Sequence, residues 1–193
     1  MAKAKYASSS KVTKLVNVLS PHLKEFHFAR VQFIALFVIA VIKVGLGGLI
    51  KIATAFERNV EVSSSLRRIE RFLDDYKVDF QVITKLIISL EKISTWENIV
   101  LCIDRTNWKV GKEYINILLL SVAHKGVAIP LCWSVLPKTG NSNTQARIDL
   151  IEGFLTQFPE LSISALVADR EHEVSAKLVY RSKMVYLFRR KKL

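Results

Sequence analysis

A chain of 193 residues, half of them apolar, can bury one good core, or a core with a small accessory bundle, which excludes a disordered or fibrous protein. Its 29 lysines and arginines against 17 aspartates and glutamates give a formal charge of +12, so the favoured partner is a polyanion, nucleic acid ahead of an anionic membrane surface. Two cysteines, Cys102 and Cys132, each sit inside an apolar run, which excludes a disulfide scaffold or a zinc site and reads them as reduced thiols packed as small hydrophobes.

The first thirty residues carry Lys3, Lys5, Lys11, Lys14 and Lys24 without the apolar core and small-residue cleavage site of an export signal, so a cytoplasmic location is expected. Residues 11–19 read as a short amphipathic helix closed by Ser20-Pro21, and Phe26, Phe28, Phe33 and Phe37 lead into an uncharged stretch over 31–42. That stretch is shorter than the roughly twenty residues that span a bilayer. Lys43 and the glycines Gly45, Gly47 and Gly48 follow it, so a buried helix is expected and no membrane partner.

A third helix is expected after Ser63-Ser64-Ser65, whose hydroxyls can cap free amides. It places Leu66, Ile69, Phe72 and Leu73 on one face and Arg67, Arg68 and Arg71 on the other. Exposed arginines on such a helix are ordinarily a solvated face, and Glu70, Asp74 and Asp75 partly offset them. Arg67 and Arg71 are nevertheless one turn apart and can lie along a phosphate backbone, which the overall charge favours. Residues 78–93, with Phe80, Ile83, Leu86, Ile87 and Leu90, repeat the helical pattern, so 1–95 is expected to be a helical bundle.

From Trp96 the period becomes that of strands. Ile-Val-Leu-Cys-Ile-Asp over 99–104 is an unbroken apolar run stopped by a carboxylate, the pattern of a central strand covered on both faces with Asp104 at its mouth. Ala165-Leu166-Val167-Ala168-Asp169 has the same form. A turn at Arg105-Thr106-Asn107-Trp108 is expected to lead to a second strand over 114–123, and His124-Lys125-Gly126 makes a tight connection to a third over 127–136. Pro130 cannot donate to a ladder, which places the third strand at the sheet edge. A polar loop over 137–143, with Gly140-Asn141-Ser142, precedes a helix over 144–158 showing Ala146, Ile148, Leu150, Ile151, Phe154 and Leu155. This helix is the crossover to the strand ending at Asp169, and a helix over 173–180 and a fifth strand over 184–188 follow. Right-handed connection gives an α/β mixed sheet of order 3-2-1-4-5 in a second domain, 96–193, with the two aspartate strands adjacent and their carboxylates in one crevice.

That order of elements is the order of the ribonuclease-H-like fold. The segments Asp104-Arg105-Thr106-Asn107-Trp108, Gly140-Asn141-Ser142 and Val167-Ala168-Asp169-Arg170-Glu171 resemble the DDE transposases of bacterial insertion sequences, the group typified by insertion sequence 4. The Arg-Arg-Ile-Glu-Arg-Phe-Leu stretch over 67–73 resembles the DNA-binding helical region ahead of the catalytic domain in that group. The resemblance implies metal-dependent DNA strand cleavage and strand transfer in DNA transposition, with Asp104 and Asp169 as catalytic and metal-holding acids and Mg2+ or Mn2+ as cofactor. It further implies double-stranded DNA, both element ends and target, as partner, Arg67, Arg68 and Arg71 as DNA-binding residues, a homodimer in the DNA complex and a place at the bacterial nucleoid.

Three acids suit this chemistry because phosphodiester cleavage needs a deprotonated nucleophile and a stabilised leaving oxyanion, which two divalent ions about 3.5–4 Å apart supply. The family's third acid is a glutamate on a helix after the fifth strand, and the sequence has no residues there. A catalytic domain incomplete at its C-terminus is therefore expected, either as an inactive remnant or as a non-catalytic DNA-binding regulatory product of the element. The match also weakens at His172-Glu173-Val174.

The competing readings are a turn-forming role for Asp104 and an ion pair with Arg170 for Asp169. Matched placement at two strand ends favours metal for both. Glu171 and Glu173 read as the acidic start of a helix, and His22, His27, His124 and His172 lack metal-ligand spacing. A membrane-associated basic protein, the remaining class, rests on residues 31–42 alone.

Overall fold

The computed structural model describes residues 10–45, 48–56, 60–110, 112–136, 144–169 and 185–189. The side chains of 10, 110, 113, 169 and 185–189 lie outside that description, as do the expected loop over 137–143 and the expected helix over 173–180. The chain divides between Val82 and Ile83 into two compact units.

The first unit contains α1 (Ser10–Leu19), α2 (Phe28–Val44), α3 (Leu49–Thr54) and α4 (Val62–Asp75). In α1 the buried Val12, Val16 and Leu19 recur at the spacing of one helical face. His27 opens α2, its Nδ1 accepting from the Ala29 N–H at 3.3 Å. Gly45 closes the helix at φ 70, donating its N–H to the Val41 carbonyl at 2.9 Å, a left-handed conformation that glycine adopts without penalty. The expected buried helix is α2. Val31, Phe33, Ala35, Leu36 and Ala40 are buried, while Ile42, near its C-terminal end, is 70% exposed. Among the described residues, no helix is long and apolar enough to cross a membrane.

Helix α4 starts earlier than the serines suggest. Its N-cap is Glu61, without a side-chain cap bond, and Ser63 instead donates its hydroxyl to Glu61 Oε2 at 3.3 Å. Ser65 is buried with Ile69, while Leu73 is exposed. Aromatic rings fill this unit: Phe33 lies 4.5 Å from Phe72 and 6.1 Å from both Phe37 and Phe56, and Tyr76 lies 5.1 Å from Phe72 and 5.7 Å from Phe26. Two guanidiniums cover the rings, Arg68 over Phe33 at 4.8 Å and Arg30 over Tyr76 at 4.3 Å.

The second unit is a mixed α/β arrangement. Helix α5 (Phe80–Leu90) begins at the division and buries Thr84 and Ile88. Ile88 joins the core of the sheet, so the first compact unit ends at Val82 rather than near residue 95. Strands β1 (Ile99–Val110), β2 (Glu113–His124) and β3 (Val127–Leu136), helix α6 (Thr144–Gln157), and strands β4 (Ile163–Asp169) and β5 (Val185–Arg189) follow. The sheet has the order β3-β2-β1-β4-β5, with β1–β2 and β2–β3 antiparallel and β1–β4 and β4–β5 parallel. Lys125 at φ 47 and Gly126 at φ 82 form the two-residue left-handed turn that suits the twist of the β2–β3 hairpin. Pro130 lies on the edge strand, as its missing donor requires.

On one sheet face Leu101, Ile103, Leu118, Leu120, Val122 and Leu166 are buried against Ile88, Ile93, Ile151 and Phe154. Helix α6 contributes the stripe Arg147, Ile151, Phe154, with Phe158 buried one turn on, so an arginine occupies a position at which an apolar neighbour was expected. Where the β2–β3 register shifts, the Thr84 hydroxyl donates to the Leu131 carbonyl at 2.7 Å. Thr84→Val keeps the shape but removes that donor, and we expect it to cost about 1–3 kcal/mol of stability in urea unfolding. A change within error would mean that the bond contributes nothing net.

The expected turn at 105–108 does not form. β1 continues through it, paired with β2 from Leu101↔Val122 to Val110↔Glu113. The physical reason is that Arg105-Thr106-Asn107-Trp108 holds neither glycine nor proline, and its threonine and tryptophan favour the pleated strand.

Candidate functional site

Side chains alternate along β1. Ile99, Leu101 and Ile103 are buried, Cys102 is half-buried and Asp104 is exposed, so Asp104 stands on the face opposite the core. The parallel pairing of β1 with β4 runs to Ile103↔Ala168. One residue further on each strand are Asp104 and Asp169, the latter the last residue of β4. Asp104 is thus not at the end of its own strand but where the central parallel pairing ends, with Leu119 of β2 as its antiparallel partner.

The Asp104 carboxylate is set by its own backbone, Oδ1 accepting from the Arg105 N–H at 2.7 Å. Its oxygens are hard donors at an exposed position, which fits Mg2+ or Mn2+. Asp169 is level with Arg189 of β5 by backbone register. Its side chain is outside the described residues, as are Arg170, Glu171, His172 and Glu173. Among the described residues no group of three histidine, cysteine, aspartate or glutamate side chains could hold a metal ion. The expected convergence of the two carboxylates therefore rests on strand register.

Cys102 precedes Asp104 by two positions on the same face. Burial raises its thiol pKa, and the Asp104 charge raises it further. Burial alone pushes Cys132 up to about 11. Because the thiolate is the nucleophile, Asp104→Asn is expected to speed iodoacetamide modification of Cys102 while leaving Cys132 slow, as read by mass spectrometry. An unchanged Cys102 rate would rule out the electrostatic influence of Asp104.

The arginines separate. Arg67 and Arg71 are exposed on α4, whereas Arg68 is half-buried over Phe33. The reason is helical geometry: position 68 is three residues after the buried Ser65 and four before the packed Phe72, on the rim of the covered face. The expected three-arginine face is thus a pair. Of the histidines, His27 caps α2 and His124 stacks on Trp96 at 4.1 Å. Sequence reasoning missed the continuation of the β1–β2 ribbon past Asp104, which carries exposed Trp108, Lys109, Lys112 and Tyr114. The available signal was the lack of glycine and proline between Arg105 and Val110.

Compared with known protein families and curated proteins, the chain matches no family model and no curated protein.

Proposed function

We propose that this protein acts on DNA as a DDE-type transposase polypeptide, its second unit belonging to the ribonuclease-H-like class and its first unit binding duplex DNA. The observation that carries this reading is the β1–β4 register, in which the last matched pair, Ile103 and Ala168, is followed on both strands by an aspartate. Adjacent carboxylates at the end of a central parallel pair form the kind of crevice in which open α/β sheets bind ligands. Asp104 and Asp169 would hold Mg2+ or Mn2+. Such ions lower the pKa of an attacking water and neutralise the leaving oxygen during phosphodiester cleavage. Asp104 contributes a carboxylate already oriented by the Arg105 N–H. In the first unit, Arg67 and Arg71 supply cations one helical turn apart for successive phosphates.

Titrating Mn2+ calorimetrically into the purified chain tests the site. Asp104→Asn and Asp169→Asn should each weaken binding by about tenfold or more. Metal binding indifferent to both substitutions would overturn the shared site. DNA binding by a chain without that metal response would leave the reading of a non-catalytic DNA-binding product of the element.

A further inference from the structure

Beyond Asp104 the sheet narrows to a ribbon. β1 pairs with β4 no further than Ile103, and β2 pairs with β3 no further than Asn116↔Leu136, yet β1 and β2 stay paired to Val110↔Glu113. Among the described residues, the segment from Trp108 to Val110 and its partner from Glu113 to Ile115 therefore form two strands with no third beside them. Isolated two-stranded ribbons are only marginally stable in water. This one spends its outward positions on aromatic and cationic side chains: Trp108 is 58% exposed and Tyr114 56% exposed.

The two rings lie on different faces. Trp108 shares the parity of Asp104 and so its face, at a separation of four residues, roughly 13 Å along the strand. Lys109 and Tyr114 are direct cross-strand partners on the other face, with the lysine ammonium 5.4 Å from the tyrosine ring centroid. Lys112 is exposed at the hairpin end, and Arg105 lies at the ribbon's base. An exposed indole with a lysine, Lys112, exposed at the same hairpin end matches the two requirements of single-strand binding, a π-face for a base and positive charge for the backbone. Within a duplex, neighbouring base pairs already cover the base faces, and groove readout uses hydrogen-bonding side chains instead.

We propose that the end of the β1–β2 ribbon binds unpaired DNA, with Trp108 stacking on a base and Lys112 at the hairpin end contacting phosphates, on the strand that reaches Asp104. This inference rests on the DNA-processing reading and deepens it by assigning the state of the substrate next to the acidic site. The Trp108 ring holds an unpaired base on the Asp104 face, so the strand arrives at the carboxylate from a fixed direction.

The test uses the full chain and fluorescence anisotropy with two probes, a labelled oligo-dT and a labelled blunt duplex of mixed sequence. Trp108→Ala should weaken oligo-dT binding about five- to a hundredfold and change duplex binding less than twofold, while Trp108→Phe retains most of the oligo-dT affinity. Lys112→Ala should flatten the salt dependence of oligo-dT binding more than Lys109→Ala, which lies on the opposite face. Unchanged unfolding midpoints for these exposed positions show that the fold is intact. If the duplex binds but oligo-dT does not, or Trp108→Ala leaves oligo-dT affinity unchanged, the ribbon inference fails and the DNA reading stands. A larger loss on duplex than on oligo-dT would also overturn it, in favour of groove insertion. If neither probe binds, the DNA reading itself fails.

Discussion

Leu166→Ala is expected to destabilise the second unit by about 2–5 kcal/mol, the cost of deleting most of a buried leucine and leaving a cavity behind. Leu166 is fully buried on the central strand β4, level with the equally buried Leu101 of β1, and both belong to the core that includes Ile151 and Phe154 of α6. Hydrogen-bonded neighbours on both sides of β4 fix its backbone, so the cavity can collapse only by distorting the sheet. Against a usual stability of about 5–15 kcal/mol this is a large fraction. Urea unfolding followed by tryptophan fluorescence should show a lower midpoint with an unchanged slope. Val135→Ala, at a position 64% exposed on the edge strand, should stay within about 0.5 kcal/mol. A Leu166→Ala loss below about 1 kcal/mol would mean that the β1–β4 core is not packed as described.

The strand arrangement was legible because its strongest signals are chemical. Pro130 removes a donor and so belongs on an edge, and Lys125-Gly126 can adopt the paired left-handed conformations of a tight hairpin. The runs ending at Asp104 and Asp169 lack polar alternation because their strands lie inside the sheet. Helix boundaries were less legible. Ser63 and Ser64 look like caps, yet Glu61 takes that place and the serines continue the first turn, because a hydroxyl competes for a cap without dictating one. The short α3 carries too few turns for its period to stand out.

Asp104 and Asp169 fall where the β1–β4 pairing ends, as the apolar runs suggest, but the course of β1 beyond Asp104 was misjudged. A charged residue after an apolar run looks like the end of a strand. In the fold it marks where the β4 pairing stops, while, among the described residues, β1 continues with β2 alone. The difference is tertiary: Arg105, Thr106 and Asn107 carry no apolar alternation, so they resemble a turn when read one after another, yet pairing with Leu118, Ile117 and Asn116 holds them in the strand. Arg68 was misplaced for a related reason. A guanidinium counts as polar in any periodicity, yet its flat face packs on Phe33 like an apolar surface.

That separation of the arginines gives the second large effect. If α4 lies along a DNA backbone, replacing Arg67 and Arg71 together by alanine should lower duplex affinity about 60-fold at 0.1 M salt, because each phosphate contact contributes about 0.9 to the slope of log affinity against log salt. The slope itself should fall by about 1.8. Both residues are exposed on α4, so the unfolding midpoint should hardly move. Arg68→Ala should do the reverse. Its guanidinium is 4.8 Å from the Phe33 ring centroid, and its loss should cost about 0.5–2 kcal/mol of stability while leaving the salt slope of the folded protein unchanged. Anisotropy titrations of the full chain at several salt concentrations, with thermal melts of each variant, separate the two behaviours. If Arg68→Ala flattens the salt dependence as much as the Arg67 and Arg71 pair does, DNA contact draws on the packed side of α4 and the assignment of its exposed face is wrong. If the pair leaves the slope intact, the cations that bind DNA lie elsewhere, and the β1–β2 ribbon with Lys109 and Lys112 is the next surface to test.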